Sequence, residues 1–172
     1  MTEIDIKFKS NSKNISLKSK EKNEENIFFA EFLKNQNSEK LDSLVFNIQN
    51  EITKTIDCTL CGNCCKSLMI NVEPNDITQL SSYLKMKEEV VKEKYLETSG
   101  TSTMAIMNKI PCHFLNENKC TVYEARPSEC RVFPGLDLPH FQKRLFAFFI
   151  HYETCPIVYY SIEMLKTKLN FK

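Results

Sequence analysis

Four of the eight cysteines fall within eight residues, Cys58-Thr59-Leu60-Cys61-Gly62-Asn63-Cys64-Cys65, and this C-x2-C-x2-C-C run constrains the fold more than any other feature. Spacing this tight lets one loop aim several sulfurs at a common point, and thiolate sulfur is the donor that zinc and iron-sulfur clusters prefer. Gly62, one of only three glycines, sits where the backbone must turn and approach sulfur closely. Beyond the run lie Cys112, Cys120, Cys130 and Cys155, three of them near proline in Pro111-Cys112, Pro127-Ser128-Glu129-Cys130 and Cys155-Pro156. Eight thiols divide into two four-thiolate sites, or into one cluster plus a second site or spare thiols. Any of the later four could instead be a small buried hydrophobe. If each site mixes cysteines of the run with later ones, metal ties the two halves of the chain together, and its removal loosens the whole domain.

Whether clustered cysteines bridge or bind metal depends on compartment. The first ten residues, MTEIDIKFKS, contain no apolar signal core and no small-residue cleavage site, so the expected location is cytoplasmic, where thiols stay reduced. The apolar runs are far shorter than a bilayer crossing requires, so no membrane partner is expected. With 23 Lys and Arg against 22 Asp and Glu, the net charge of +1 supplies no field that would gather nucleic acid, and none is expected as a partner.

Periodicity gives the fold class: mainly α (α+β with one small β-hairpin), a small single domain stapled by a cysteine-ligated metal centre. Residues 1–24, rich in Lys, Ser and Asn, read as a flexible N-terminal tail, with Ile4, Ile6 and Phe8 alternating as one docked strand would. Residues 25–170 form the cysteine-cluster metal-binding domain. Helical spacing appears over residues 27–33. It is clearest in Leu41, Leu44, Val45, Ile48, Ile52 and Ile56, a helix predicted to run directly into Cys58. Glu73-Pro74-Asn75-Asp76 starts another helix, a second follows over 87–96, and Thr98-Ser99-Gly100 reads as a turn. A short strand is expected over 103–110 and a hairpin turn at Asn116-Glu117-Asn118-Lys119. Pro127 should open a short helix carrying Cys130, and helices are expected over 140–152 and 156–169.

Adjacent side chains diverge by about 100° on a helix, so Cys64 and Cys65 are expected to serve different centres. Thiolate charge calls for nearby cations. All three arginines, Arg126, Arg131 and Arg144, lie between Cys120 and Cys155; Arg126 and Arg131 are candidates for that role, whereas Arg144 reads as solvated. Among the histidines, His113 is the best candidate ligand because it adjoins Cys112.

The full pattern is Cys58-x-x-Cys61-Gly62-x-Cys64-Cys65, Pro111-Cys112-x-Phe114-Leu115, Cys120-x-x-Tyr123-x-x-Arg126-Pro127-x-x-Cys130-Arg131-x-Phe133-Pro134 and Cys155-Pro156. It closely resembles the bacterial cysteine-cluster family of zinc- or iron-chelating (CxxCxxCC) domain proteins, over residues 27–168. The resemblance implies that Cys58, Cys61, Cys64, Cys65, Cys112, Cys120, Cys130 and Cys155 are metal ligands and that Tyr123, Arg126 and Arg131 belong to the cofactor-binding motif. It does not choose the metal. The x2, x2 spacing of Cys58, Cys61 and Cys64 matches bacterial ferredoxin loops and points to an iron-sulfur cluster, 4Fe-4S in form; two four-thiolate zinc sites fit the same count. A related cysteine pattern accompanies flagellin lysine methylases, so a cluster-dependent protein-modifying enzyme is one alternative. A zinc-stapled module with a protein partner is another.

Overall fold

Residues with helical apolar spacing make up most of the chain. The computed structural model, which describes residues 12–98 and 104–171, is mainly α-helical with two small antiparallel sheets. Its helices are α1 (Ser12–Glu21), α2 (Asn23–Lys34), α3 (Ser38–Thr53), α4 (Cys58–Cys61), α5 (Asn63–Ser67), α6 (Pro74–Leu84), α7 (Glu88–Tyr95), α8 (Ser128–Val132), α9 (Leu145–His151) and α10 (Pro156–Lys168). Its strands are β1 (Asn71–Val72), β2 (Leu96–Thr98), β3 (Ala105–Met107), β4 (Leu115–Asn116) and β5 (Lys119–Cys120). Among the described residues, no helix is long and apolar enough to cross a membrane. The chain divides into two compact units, one of Met1–Cys58 with Pro134–Lys172 and the other of Thr59–Phe133.

In the first unit, α3 packs along α10 through its apolar stripe. Leu41, Val45, Ile48 and Ile52 are buried from α3, and Val158, Ile162 and Leu165 from α10. The Asn37 side chain caps α3 by accepting the Lys40 N–H at 3.0 Å. The helix ends at Thr53, earlier than the spacing predicts, because Ile56 reaches the core from a following turn whose Thr55 and Ile56 amides both bond back to the Ile52 carbonyl. The expected helix over 140–152 is a 3-10 turn at Phe141–Arg144 followed by α9. That turn is fixed to α3 by Asp42, which accepts the His140 and Phe141 amides at 2.7 and 2.8 Å. Arg144 is not solvated as its sequence position suggests: it donates to the Gly135, Leu138 and Pro139 carbonyls and lies over the Phe148 ring.

Part of the segment read as a tail is helical, because α1 packs on α10 and buries Ile15 and Ser19. The strand expected at Ile4, Ile6 and Phe8 and most of the turn expected at Thr98-Ser99-Gly100 lie outside the described residues.

The second unit has a core of Val72, Ile77, Leu80, Val91, Tyr95, Leu96, Ala105, Met107, Phe114, Val122 and Ala125. β3 falls within the short strand expected over 103–110, and it pairs antiparallel with two strands that were not expected, β1 and β2. Those strands are two or three residues long, too short to show a period of two in sequence. The hairpin is β4–β5, with Leu115 opposite Cys120 and Asn116 opposite Lys119. Its two loop residues, Glu117 (φ 48°) and Asn118 (φ 74°), are both left-handed, the conformation a two-residue turn needs to match strand twist.

Candidate metal centre

Six of the eight cysteines belong to the Thr59–Phe133 unit, and three local structures present them. The first is the loop from α4 into α5, which carries Cys61, Cys64 and Cys65. Gly62 makes its bend with φ 64°, and a Cβ there would stand 2.9 Å from both Cα and O of Asn118. The glycine therefore supplies the backbone conformation and also lets the cysteine loop lie against the β4–β5 turn. Replacing Gly62 with Ala should cost about 2 kcal/mol or more from the strained φ and the backbone clash together, read as a lowered denaturation midpoint. An unchanged midpoint would show that the loop does not need this contact.

The second structure is the hairpin. Cys112 donates its N–H to the Cys65 carbonyl at 2.8 Å, and the Leu115 N–H bonds back to the Cys112 carbonyl at 3.1 Å. Cys120 lies opposite Leu115, so these backbone bonds tie Cys65, Cys112 and Cys120 into one connected patch.

The third is α8, which carries Cys130. Asp76, buried at 4% exposure, accepts the Glu73 amide at 3.1 Å at the start of α6, and the Ser128 amide and hydroxyl at 2.9 Å each at the start of α8. Glu129 accepts from the Asn71 amide and from the Asn71 side chain. Asp76→Ala would leave those donors unpaired and free the helix that holds Cys130. It should cost about 2 kcal/mol in stability and weaken metal retention about 10-fold, measured by chelator competition.

The sulfurs share one electrostatic environment. Cys61, Cys65, Cys112, Cys120 and Cys130 are each within electrostatic reach of Cys64. The Cys64 and Cys65 sulfurs lie 3.9 Å apart, and their hydrogen bond favours ionisation of Cys64 below the ordinary thiol range while the same pairing pushes Cys65 up. Burial raises Cys61, Cys112 and Cys120, and burial with the neighbouring thiols pushes Cys130 up to about 12. Burial thus opposes ionisation of most of these thiols, and a bound cation would favour it.

Two features favour negative sulfur. Cys61, Cys112 and Cys120 each receive a backbone hydrogen bond from the residue two positions on: Asn63, Phe114 and Val122 respectively. Arg126 stacks 3.8 Å from the Tyr123 ring centroid, and its charge reaches Cys64 and Cys120. Its Nε is buried without a hydrogen-bond partner. Arg131 is used differently, donating to the Arg126 carbonyl at 3.0 Å and to the Glu124 carbonyl, so it clamps the backbone that presents Arg126. His113 pairs with Asn108 at 2.6 Å and packs edge-on to Tyr95.

Cys58 and Cys155 belong to the other unit, the first exposed at the start of α4 and the second buried just before α10. Among the described residues, no three Cys, His, Asp or Glu side chains converge closely enough to hold an ion as they stand. The six sulfurs, the amides directed at three of them and one cation match the donor chemistry of a thiophilic metal. Sequence reasoning missed Asp76 as the anchor of α8. Its capping role was visible, but Ser128 is 52 positions away.

Residues 57–156 match the family model named CxxCxxCC, whose description is "putative zinc- or iron-chelating domain". No solved structure matches the chain.

Proposed function

The chain belongs to the CxxCxxCC family, and from that premise we propose that it is a metal-binding protein whose cysteines hold zinc or iron. The observation that carries this reading is the grouping of the cysteines: the Cys64 and Cys65 sulfurs lie 3.9 Å apart, and the Cys112 N–H bonds to the Cys65 carbonyl at 2.8 Å, which joins the cysteine loop to the hairpin that carries Cys120. Cys61, Cys64, Cys65, Cys112, Cys120 and Cys130 are the proposed ligands. Bound among them, a metal supplies positive charge and cross-links between segments; in an iron-sulfur form it also supplies one-electron redox chemistry.

The chain's own residues prepare the site. Gly62 brings the loop against the hairpin, Asp76 and Glu129 fix α8, and the amides of Asn63, Phe114 and Val122 stabilise sulfur as thiolate. Arg126 offsets the charge that four or more thiolates accumulate, and Tyr123 holds its guanidinium flat. An arginine in this position would also raise the reduction potential of a redox-active centre.

The test is thiol reactivity in the full chain, purified anaerobically. In the metal-loaded protein, Cys61, Cys64, Cys65, Cys112, Cys120 and Cys130 should resist alkylation, as mapped by mass spectrometry, and should become reactive together when a strong chelator is added. Reactivity unaffected by chelator would defeat the proposal.

A further inference from the structure

Cys64 and Cys65 are consecutive residues of α5, and consecutive helical side chains point about 100° apart. Their Sγ atoms nevertheless lie only 3.9 Å apart. The two residues sit in the first turn of a five-residue helix entered from the left-handed Gly62. The separation can be compared with a known one. Four thiolates placed tetrahedrally around an ion at a metal–sulfur distance of about 2.3 Å stand about 3.8 Å apart along every edge. A cubane cluster uses its cysteines differently, one on each iron, with inorganic sulfide between them.

Resting on the metal-binding reading above, we infer that Cys64 and Cys65 are two ligands of the same tetrahedral ion, so that this centre is a thiolate-bound zinc or a single iron atom chelated by adjacent residues, and not a cubane. A shared ion departs from the sequence expectation that the two residues serve different centres. The hairpin adjoins the pair through its backbone: the Cys112 N–H bonds to the Cys65 carbonyl, and Cys120 lies opposite Leu115.

The experiment uses the full chain loaded with 113Cd in place of its resident metal, and reads cadmium–proton correlations to the cysteine Hβ protons. Cys64 and Cys65 are expected to correlate with one and the same cadmium resonance. Correlations to two different resonances, or from only one of the pair, would overturn the inference. A second measurement compares zinc and iron content in C64S, C65S and the double variant, each checked for retained helix content by circular dichroism. All three should lose the same amount of metal; a double variant that loses twice what each single loses would place the pair on separate ions. A wild-type chain that holds iron and acid-labile sulfide with the absorption of a cubane would overturn the shared ion while leaving metal binding intact. A wild-type chain that binds no zinc, iron or cadmium would defeat the underlying reading, and the pairing with it.

Discussion

Stripping the metal from the purified chain with a strong chelator should unfold the Thr59–Phe133 unit. The apolar core of that unit comes from α6, α7, the three-stranded sheet and the hairpin flanks, whereas α5 and α8 contribute no buried side chain. The segments that carry Cys61, Cys64, Cys65 and Cys130 are therefore fastened by a few hydrogen bonds and by whatever joins their sulfurs. A unit of this size draws little stability from its core alone. Structural zinc sites contribute apparent binding free energies of about 10–16 kcal/mol, several times what such a core supplies, so metal removal should shift the unit from folded to largely unfolded. Amide hydrogen exchange would show this as loss of protection across residues 59–133. Protection unchanged after complete metal removal would mean that the unit is held by its apolar core.

The second large effect belongs to the other unit and does not involve metal. Glu163 on α10 accepts from Lys22, from Lys166 at 2.8 Å and from the Tyr152 hydroxyl at 2.7 Å, and Lys166 also pairs with Glu25 at 2.9 Å. The Lys166 side chain is only 6% exposed and lies over the rings of Phe29 and Tyr152. A buried ion pair of this kind adds little over a well-packed apolar substitute, yet removing one partner strands the other charge. Glu163→Gln should therefore destabilise the unit by about 3 kcal/mol, measured by denaturant unfolding.

The pH dependence has a definite sign. Burial alone would raise the Glu163 carboxyl, but the hydrogen bonds from Lys166, Lys22 and Tyr152 outweigh it and hold the pKa below the ordinary value. A lowered native pKa makes this contribution fully present above the unfolded carboxylate pKa of about 4.3, and it is lost as pH falls through the native value. Wild-type stability should fall more steeply in acid than that of Glu163→Gln. Parallel acid curves would remove Glu163 from the account.

Helices with long apolar stripes were legible in the sequence, because α3 and α10 each bury side chains at the expected spacing. So were the capped start of α6 and the hairpin between Cys112 and Cys120, since Pro74 and the Asn116–Lys119 segment act locally. Of the three-stranded sheet only the middle strand, β3, was legible, whereas β1 and β2 are too short to carry a pattern. α1 was obscured by its composition: most of its residues are polar, and its docking depends on Ile15 and Ser19 reaching a distant helix.

At the candidate centre, the cysteines and Arg126 could be read as a set, but their supports could not. Asp76 reaches Ser128 and Glu129 reaches Asn71 across more than 50 positions, and no local spacing encodes either contact. The 3.9 Å approach of the Cys64 and Cys65 sulfurs was not legible either, because it depends on side-chain conformation within the short α5 and not on sequence spacing.

The most direct test of a thiolate metal centre is elemental analysis of the anaerobically purified chain, with a visible spectrum recorded on the same sample. Zinc or iron should be retained at one equivalent or more per chain through gel filtration. Colourless protein would indicate zinc, and coloured protein iron. A folded chain that carries neither metal, with the thiols of Cys61, Cys64, Cys65, Cys112, Cys120 and Cys130 all open to alkylation, would contradict it.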